Sequence, residues 1–146
     1  MPMNRRDVRE PGGVATMPVT DRHPPYAPEA EIAVLGGMLI DPDAVAKAIE
    51  ILDDSMFYRE ANRRIFRAMA RLFQQGQVID PVTVSEELKQ NDELEAAGGM
   101  AYLAELLDAV PTAANLEYHA RIVRERALLR RLIDAASQII RDAYEV

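Results

Sequence analysis

After Pro111 the chain runs thirty-five residues, to Val146, without a Gly or a second Pro. Nothing in that stretch breaks a helix, so Asn115 to Glu145 reads as one continuous helix. At about 1.5 Å per residue it would be roughly 45 Å long, more than a compact domain of this size needs. Its apolar residues fall into two stripes. Leu116, Ala120, Val123 and Ala127 share a face at helical spacing and can pack on whatever precedes them. Leu129, Leu132, Ile133, Ala136, Ile139, Ile140 and Ala143 form a wider stripe, expected to lack cover within this sequence. Covering its five large side chains would contribute on the order of 10 kcal/mol as an upper bound. Two readings stay open: the helix folds back along its own domain, or its second half is an assembly surface or one arm of a hairpin whose other arm is absent.

Upstream, the pattern is helical throughout. Residues 1–28 hold six of the nine prolines and no apolar periodicity, and are expected to be a disordered extension. From Pro28, Ile32, Leu35, Met38 and Leu39 recur at helical spacing to about Ile40, with Glu29 and Glu31 in the first turn, where the helix dipole favours acids. Gly36-Gly37 inside this helix costs roughly 1 kcal/mol per residue relative to Ala, a cost that close approach of another helix would offset. Asp41-Pro42 caps and starts a second helix, to about Leu52, and Met56-Phe57-Tyr58 forms an apolar plug. A third helix, near Glu60 to Gln75, is expected to bury Ile65, Phe66, Met69, Leu72 and Phe73, with Gly76 ending it in the left-handed conformation. Thr83-Val84-Ser85-Glu86 reads as a capping box opening a fourth helix that carries Leu88 inward to about Asn91. Val78-Ile79 or Val82 could make a token extended segment. A fifth helix runs from Met100 to Ala109 with Leu103, Leu106 and Leu107, and Thr112 or Asn115 caps the long one. The fold class is all-α: residues 29–112 make a small helical bundle, and 113–146 a long C-terminal helix.

Charge and composition narrow the function. The net charge of −7 is uneven: residues 29–114 carry seven bases against sixteen acids, while 115–146 carry six Arg against five. An acidic body argues against a broad electrostatic grip on nucleic-acid phosphates. On the third helix, however, Arg59, Arg63, Arg67 and Arg71 repeat every four residues with Arg64 beside them. That stripe is either a solvated face or a contact for an acidic partner or DNA. With no Cys and only His23 and His119, a thiolate metal site is excluded and a zinc site lacks ligands. Neither Gly36-Gly37 nor Gly98-Gly99 carries the Lys and Ser/Thr of a phosphate-binding loop. The acid pairs Glu86-Glu87 and Asp92-Glu93 are expected on exposed faces, away from catalysis. No apolar run is long enough to cross a bilayer, so a cytoplasmic protein is expected.

The order of the motifs adds a family. Glu29-Ala30-Glu31-Ile32-Ala33-Val34-Leu35-Gly36-Gly37, Phe57-Tyr58 before an amphipathic helix, Ile79-Asp80-Pro81-Val82-Thr83-Val84, Gly98-Gly99 with Tyr102-Leu103, and Val110-Pro111-Thr112-Ala113-Ala114-Asn115 followed by Leu129-Arg130-Arg131-Leu132-Ile133 occur in sequence. Together they resemble the N-terminal domain of the DnaB-type replicative DNA helicases, over about Pro24 to Tyr144. The resemblance implies a helical globule followed by the first arm of a hairpin, in a collar of six copies above a ring of ATPase domains. It implies self-association through Leu129, Leu132, Ala136, Ile140 and Ala143. It also implies docking of primase and helicase loader, with Glu29, Tyr102, Ile133 and Ile139 facing the primase. No cofactor is expected in this chain; ATP and Mg belong to the absent ATPase domain, and DNA is met only by the full-length ring. The rival expectation is a small DNA-binding or regulatory helical protein using the Arg59–Arg71 stripe.

Overall fold

The computed structural model describes residues 23–146. They form six α-helices: α1 (Pro28–Ile40), α2 (Pro42–Ile51), α3 (Glu60–Gln74), α4 (Pro81–Gln90), α5 (Gly99–Ala109) and α6 (Leu116–Tyr144), with a 3-10 turn at Asp54–Met56. The described residues contain no strand, and Val82, a candidate for an extended segment, lies inside α4.

Helix α1 is the axis of the bundle. It is apolar almost all round, as a helix with neighbours on every side must be, and Val34, Leu35 and Met38 are fully enclosed. Helices α2, α3, α5 and α6 all pack against it, and α4 closes the gap between α3 and α5. Phe57 plugs the base of this core against Phe66, ring centroids 5.0 Å apart. Phe73, expected inside, is 42% exposed on the last turn of α3, while its neighbour Leu72 is buried.

Local chemistry sets the helix ends. Asp41 accepts a hydrogen bond from the Asp43 N–H and Pro42 takes the first turn of α2, as its sequence requires. Gly76 follows α3 with φ of +68°, the left-handed conformation that a side chain disfavours. The capping box of α4 is shifted from the expected one. Asp80 is the cap, accepting from the Thr83 N–H at 2.8 Å, while the Thr83 hydroxyl accepts from the Asp80 N–H at 2.9 Å. Pro81 then occupies the first helical position, so α4 begins two residues before Thr83. Asn115 makes no side-chain cap to α6; Thr112 Oγ1 instead accepts from the Ala114 N–H within the preceding turn.

Gly36 and Gly37 form the flat patch on which α5 and the start of α6 converge. A Cβ built on Gly36 would lie 2.4 Å from the Leu106 carbonyl oxygen and 2.7 Å from Val110 Cγ2, so α5 backbone occupies the space of a side chain. A Cβ on Gly37 meets only the flexible end of Leu116 at 3.1 Å and Ala113. Gly36→Ala is therefore expected to lower stability by about 2 kcal/mol despite its better helix propensity, since α5 must move. Gly37→Ala is expected to stay within about 1 kcal/mol of the parent. Urea unfolding of both variants measures the contrast.

Candidate partner-docking surface

The surface begins where α6 leaves the globule. Its buried residues, Leu116, Ala120, Val123 and Ala127, occupy only the first three turns. Just beyond them Arg130 makes the last firm anchorage. Its Nη1 donates to the Pro25 carbonyl and its Nη2 to the Met56 carbonyl, both at 2.8 Å. The guanidinium lies 5.3 Å from the centre of the Tyr58 ring. Burial pushes the Arg130 pKa down, with Glu31 opposing through its charge. Arg131 reaches Ser55, and beyond the turn that carries Ile133 and Asp134 the helix stands clear of the body; every large apolar side chain after Arg131 is exposed. Leu132 is 65% exposed, Ile139 68% and Ile140 56%; Leu128, Leu129, Ile133, Ala136 and Ala143 are exposed beside them. The stripe does not fold back on its own domain.

Residues 23–27, grouped by composition with the extension, pack at the root of this arm: the Tyr26 ring packs on Tyr58 at a tilt of 42°, with centroids 4.6 Å apart. The expectation of disorder over residues 1–22 lies outside the described residues.

The other expected contact residues are not gathered on one face. Glu29 is exposed on the first turn of α1, lining a hollow with His119, Ile122 and Arg126. Ile133 lines a different cleft, with Tyr58 and Arg130. Tyr102 faces inward: its hydroxyl donates to Asn62 Oδ1 at 2.6 Å and its ring lies 5.7 Å from the Arg59 guanidinium. Ile139 stands two turns further along the arm.

Behind Tyr102 is a buried polar centre that helical periodicity alone did not reveal. Glu31 is 1% exposed, and its two carboxylate oxygens accept from the Tyr58 N–H at 2.9 Å and from Asn62 Nδ2 at 2.8 Å. Asn62, fully buried on α3, thus joins Glu31 of α1 to Tyr102 of α5. The legible signal was Asn62 itself, a polar residue at i−3 from Ile65 on the face that α3 turns to the core. Burial raises the Tyr102 pKa, with Arg59 opposing, and burial together with the Glu31 charge raises that of Tyr26.

The arginine stripe is neither bare nor merely solvated. Arg67 donates through Nε and Nη2 to Asp54 Oδ2 at 3.1 and 2.9 Å, and this bond raises its pKa. Arg71 donates to Glu87 at 2.9 Å, and Arg64 lies 3.2 Å from Glu60. Glu93, 8% exposed, faces Arg64, Arg67 and Arg71 at 3.5 to 3.7 Å. Glu87 and Glu93 are therefore not on exposed faces as expected; α4 and the turn after it bring them onto α3. Among the described residues no group of three or more His, Asp or Glu is gathered to hold a metal ion.

The described residues form a helical globule, with Glu31, Asn62 and Tyr102 bonded to one another at its centre, that holds out one helix with an exposed apolar face. The family comparison agrees: the DnaB-like helicase N-terminal domain model matches residues 23–125, and the chain belongs to that family. The replicative DNA helicase DnaB of Geobacillus stearothermophilus is 52% identical over 125 residues, which are 86% of this chain and 28% of that one. The chain thus spans less than a third of the length of that relative. Among solved structures, the N-terminal domain of DnaB helicase from Mycobacterium tuberculosis superposes with a TM-score of 0.82 at 43% identity, covering 84% of this chain and 85% of that one. A DnaB-like replicative helicase, described with its interactions with primase, matches with a TM-score of 0.71 at 28% identity, covering 82% of this chain and 28% of its own.

Two outcomes test the buried centre. Glu31→Ala strands the Tyr58 N–H and the Asn62 amide, and should destabilise by about 2–4 kcal/mol, read as a lower urea midpoint with an unchanged slope. Because the folded state raises the Tyr102 pKa, the associated stability is intact below the unfolded value near 10 and is lost as pH rises through the higher folded value. The unfolding free energy from urea titration should accordingly fall less steeply above about pH 10 in Tyr102→Phe than in the parent, whatever the lost Asn62 bond costs at neutral pH.

Proposed function

We propose that this domain is part of the collar of a hexameric replicative DNA helicase, where it mediates ring assembly and docks primase and helicase loader during DNA replication. The observation that carries the reading is the arm: beyond Ala127, α6 exposes Leu129, Leu132, Ile133, Ile139 and Ile140 along one continuous helix. An apolar helix face of that length is unfavourable in water unless another protein surface covers it. A second arm or a second copy covers Leu129, Leu132, Ala136, Ile140 and Ala143, while Glu29, Tyr102, Ile133 and Ile139 meet primase. The primase interactions named for the 28% identical helicase support that part of the reading. ATP and Mg act in an ATPase domain beyond this segment, DNA is engaged only by the complete ring, and the complex works in the cytoplasm.

The rival reading, DNA binding through the Arg59–Arg71 stripe, loses ground because Arg64, Arg67 and Arg71 already face Glu60, Asp54, Glu87 and Glu93. Phosphate binding there would have to displace those carboxylates.

Sedimentation at micromolar concentration should find a dimer or larger species that persists in high salt, and Leu132→Asp with Ile140→Asp should return it to monomer. Primase titration should weaken at least about fivefold in Tyr102→Ala with Ile139→Ala, the fold verified by circular dichroism. A strict monomer whose primase affinity ignores both changes would sink the proposal.

A further inference from the structure

At the root of the arm lies a cleft of about 400 Å³, walled by His23, Tyr58, Arg63, Arg130, Ile133 and Asp134. Its composition is unlike the rest of the surface. Elsewhere on α3 the arginines sit against buried or half-buried acids, but Arg130 has no carboxylate within ion-pair distance among the described residues, and Arg63 has only Glu60, on its own helix, at 3.8 Å. Arg130 is turned on backbone carbonyls and the Tyr58 ring, which hold its geometry without cancelling its charge. Arg63 is fixed likewise, its Nε donating to the Phe57 carbonyl at 2.6 Å. Two guanidiniums are thus pre-positioned on one cleft, and Ile133 and Pro24 add apolar wall beside them.

We propose that this cleft is a docking pocket for an acidic and apolar segment of a protein partner, its carboxylate received between Arg63 and Arg130 and its aliphatic neighbour against Ile133. The inference deepens the docking reading above and rests on it for the partner being a protein. Charge complementarity selects the occupant. A guanidinium held in fixed geometry in a half-enclosed site gains more from a carboxylate than an exposed one does, and the bond is directional. The acid excess of the globule repels an acidic segment elsewhere, so it disfavours wrong docking positions. A nucleic-acid strand fits less well: Tyr26 and Arg130 already pack on the Tyr58 ring, and Ile133 and Pro24 offer nothing to a phosphate. Asp134 on the rim opposes any anion, which makes it a diagnostic position.

The test titrates the 15N-labelled chain with the peptide acetyl-Leu-Glu-Ile-Asp-Leu-amide, with its Gln/Asn counterpart and with oligo-dT, following the arginine Nε–Hε signals and Ile133. The acidic peptide should shift the Arg63, Arg130 and Ile133 signals together. Its neutral counterpart should bind at least about fivefold more weakly. Arg63→Glu should abolish the shifts. Asp134→Asn, which disturbs none of the hydrogen bonds described, should tighten binding about twofold, and it keeps the test decisive if Arg63→Glu fails to fold. Equal shifts with the neutral peptide, no shift at this cleft, or preferential binding of oligo-dT there would each overturn the proposal. Primase titration separates the two readings: affinity retained in Asp134→Asn and Arg63→Glu, but lost in Tyr102→Ala with Ile139→Ala, would remove the cleft and leave the docking function standing.

Discussion

The carboxylate of Glu31 is the interaction on which the bundle's arrangement depends. A charge enclosed to this degree is tolerable only when donors are held in place around it. Here those donors come from the chain entering α3 and from α3 itself, through the Tyr58 N–H and Asn62. Asn62 then passes the constraint to α5 through Tyr102. Three elements distant in sequence are set in register by one acceptor, and the Tyr58 ring, positioned by the same contact, becomes the surface on which Tyr26 and Arg130 settle. The arm's root is in this sense an extension of the buried centre.

Apolar packing and charge divide the remaining work. The Gly36-Gly37 patch lets α5 come within backbone contact of α1, which a side chain would forbid. On the far side of α3, Asp54, Glu87 and Glu93 tie the 3-10 turn, α4 and the turn after α4 to one row of arginines. Several of these pairs are partly exposed, and each alone would be worth little. Shared among Arg64, Arg67 and Arg71, Glu93 makes them a network that fixes how α4 lies on α3.

The arm is the counterpart of this closure. Up to Ala127 α6 is part of the core, held by α1 and α2; after Arg131 its stability as a helix rests on its own propensity and on whatever binds it. A helix with such an uncovered apolar face would gain stability from any surface that covered it, so binding there and folding of this segment would favour one another.

How much of this could be read in advance follows from the range of each interaction. Near-neighbour chemistry was legible: the Asp41-Pro42 start of α2, the Gly76 stop, the unbroken run after Pro111 and the two stripes on it are decided by residues within a turn or two of each other, where spacing alone fixes geometry. The motif order was enough to point to the family. The cap of α4 was misplaced by one turn, since Thr83 and Asp80 both offer an oxygen and only the Pro81 start decides between them. From position alone Glu31 is a first-turn acid, Tyr102 serves either the core edge or an interface, and Glu87 and Glu93 face solvent. Each has a partner between 16 and 40 positions away, and no local pattern encodes it. The sequence by itself therefore determined the helices, the ends of α2 and α3, and the surplus apolar face of the last one. Which acids are buried, which arginines are matched and which two are left facing a cleft was decided only in the tertiary structure, because burial and pairing depend on distances that chain position does not specify.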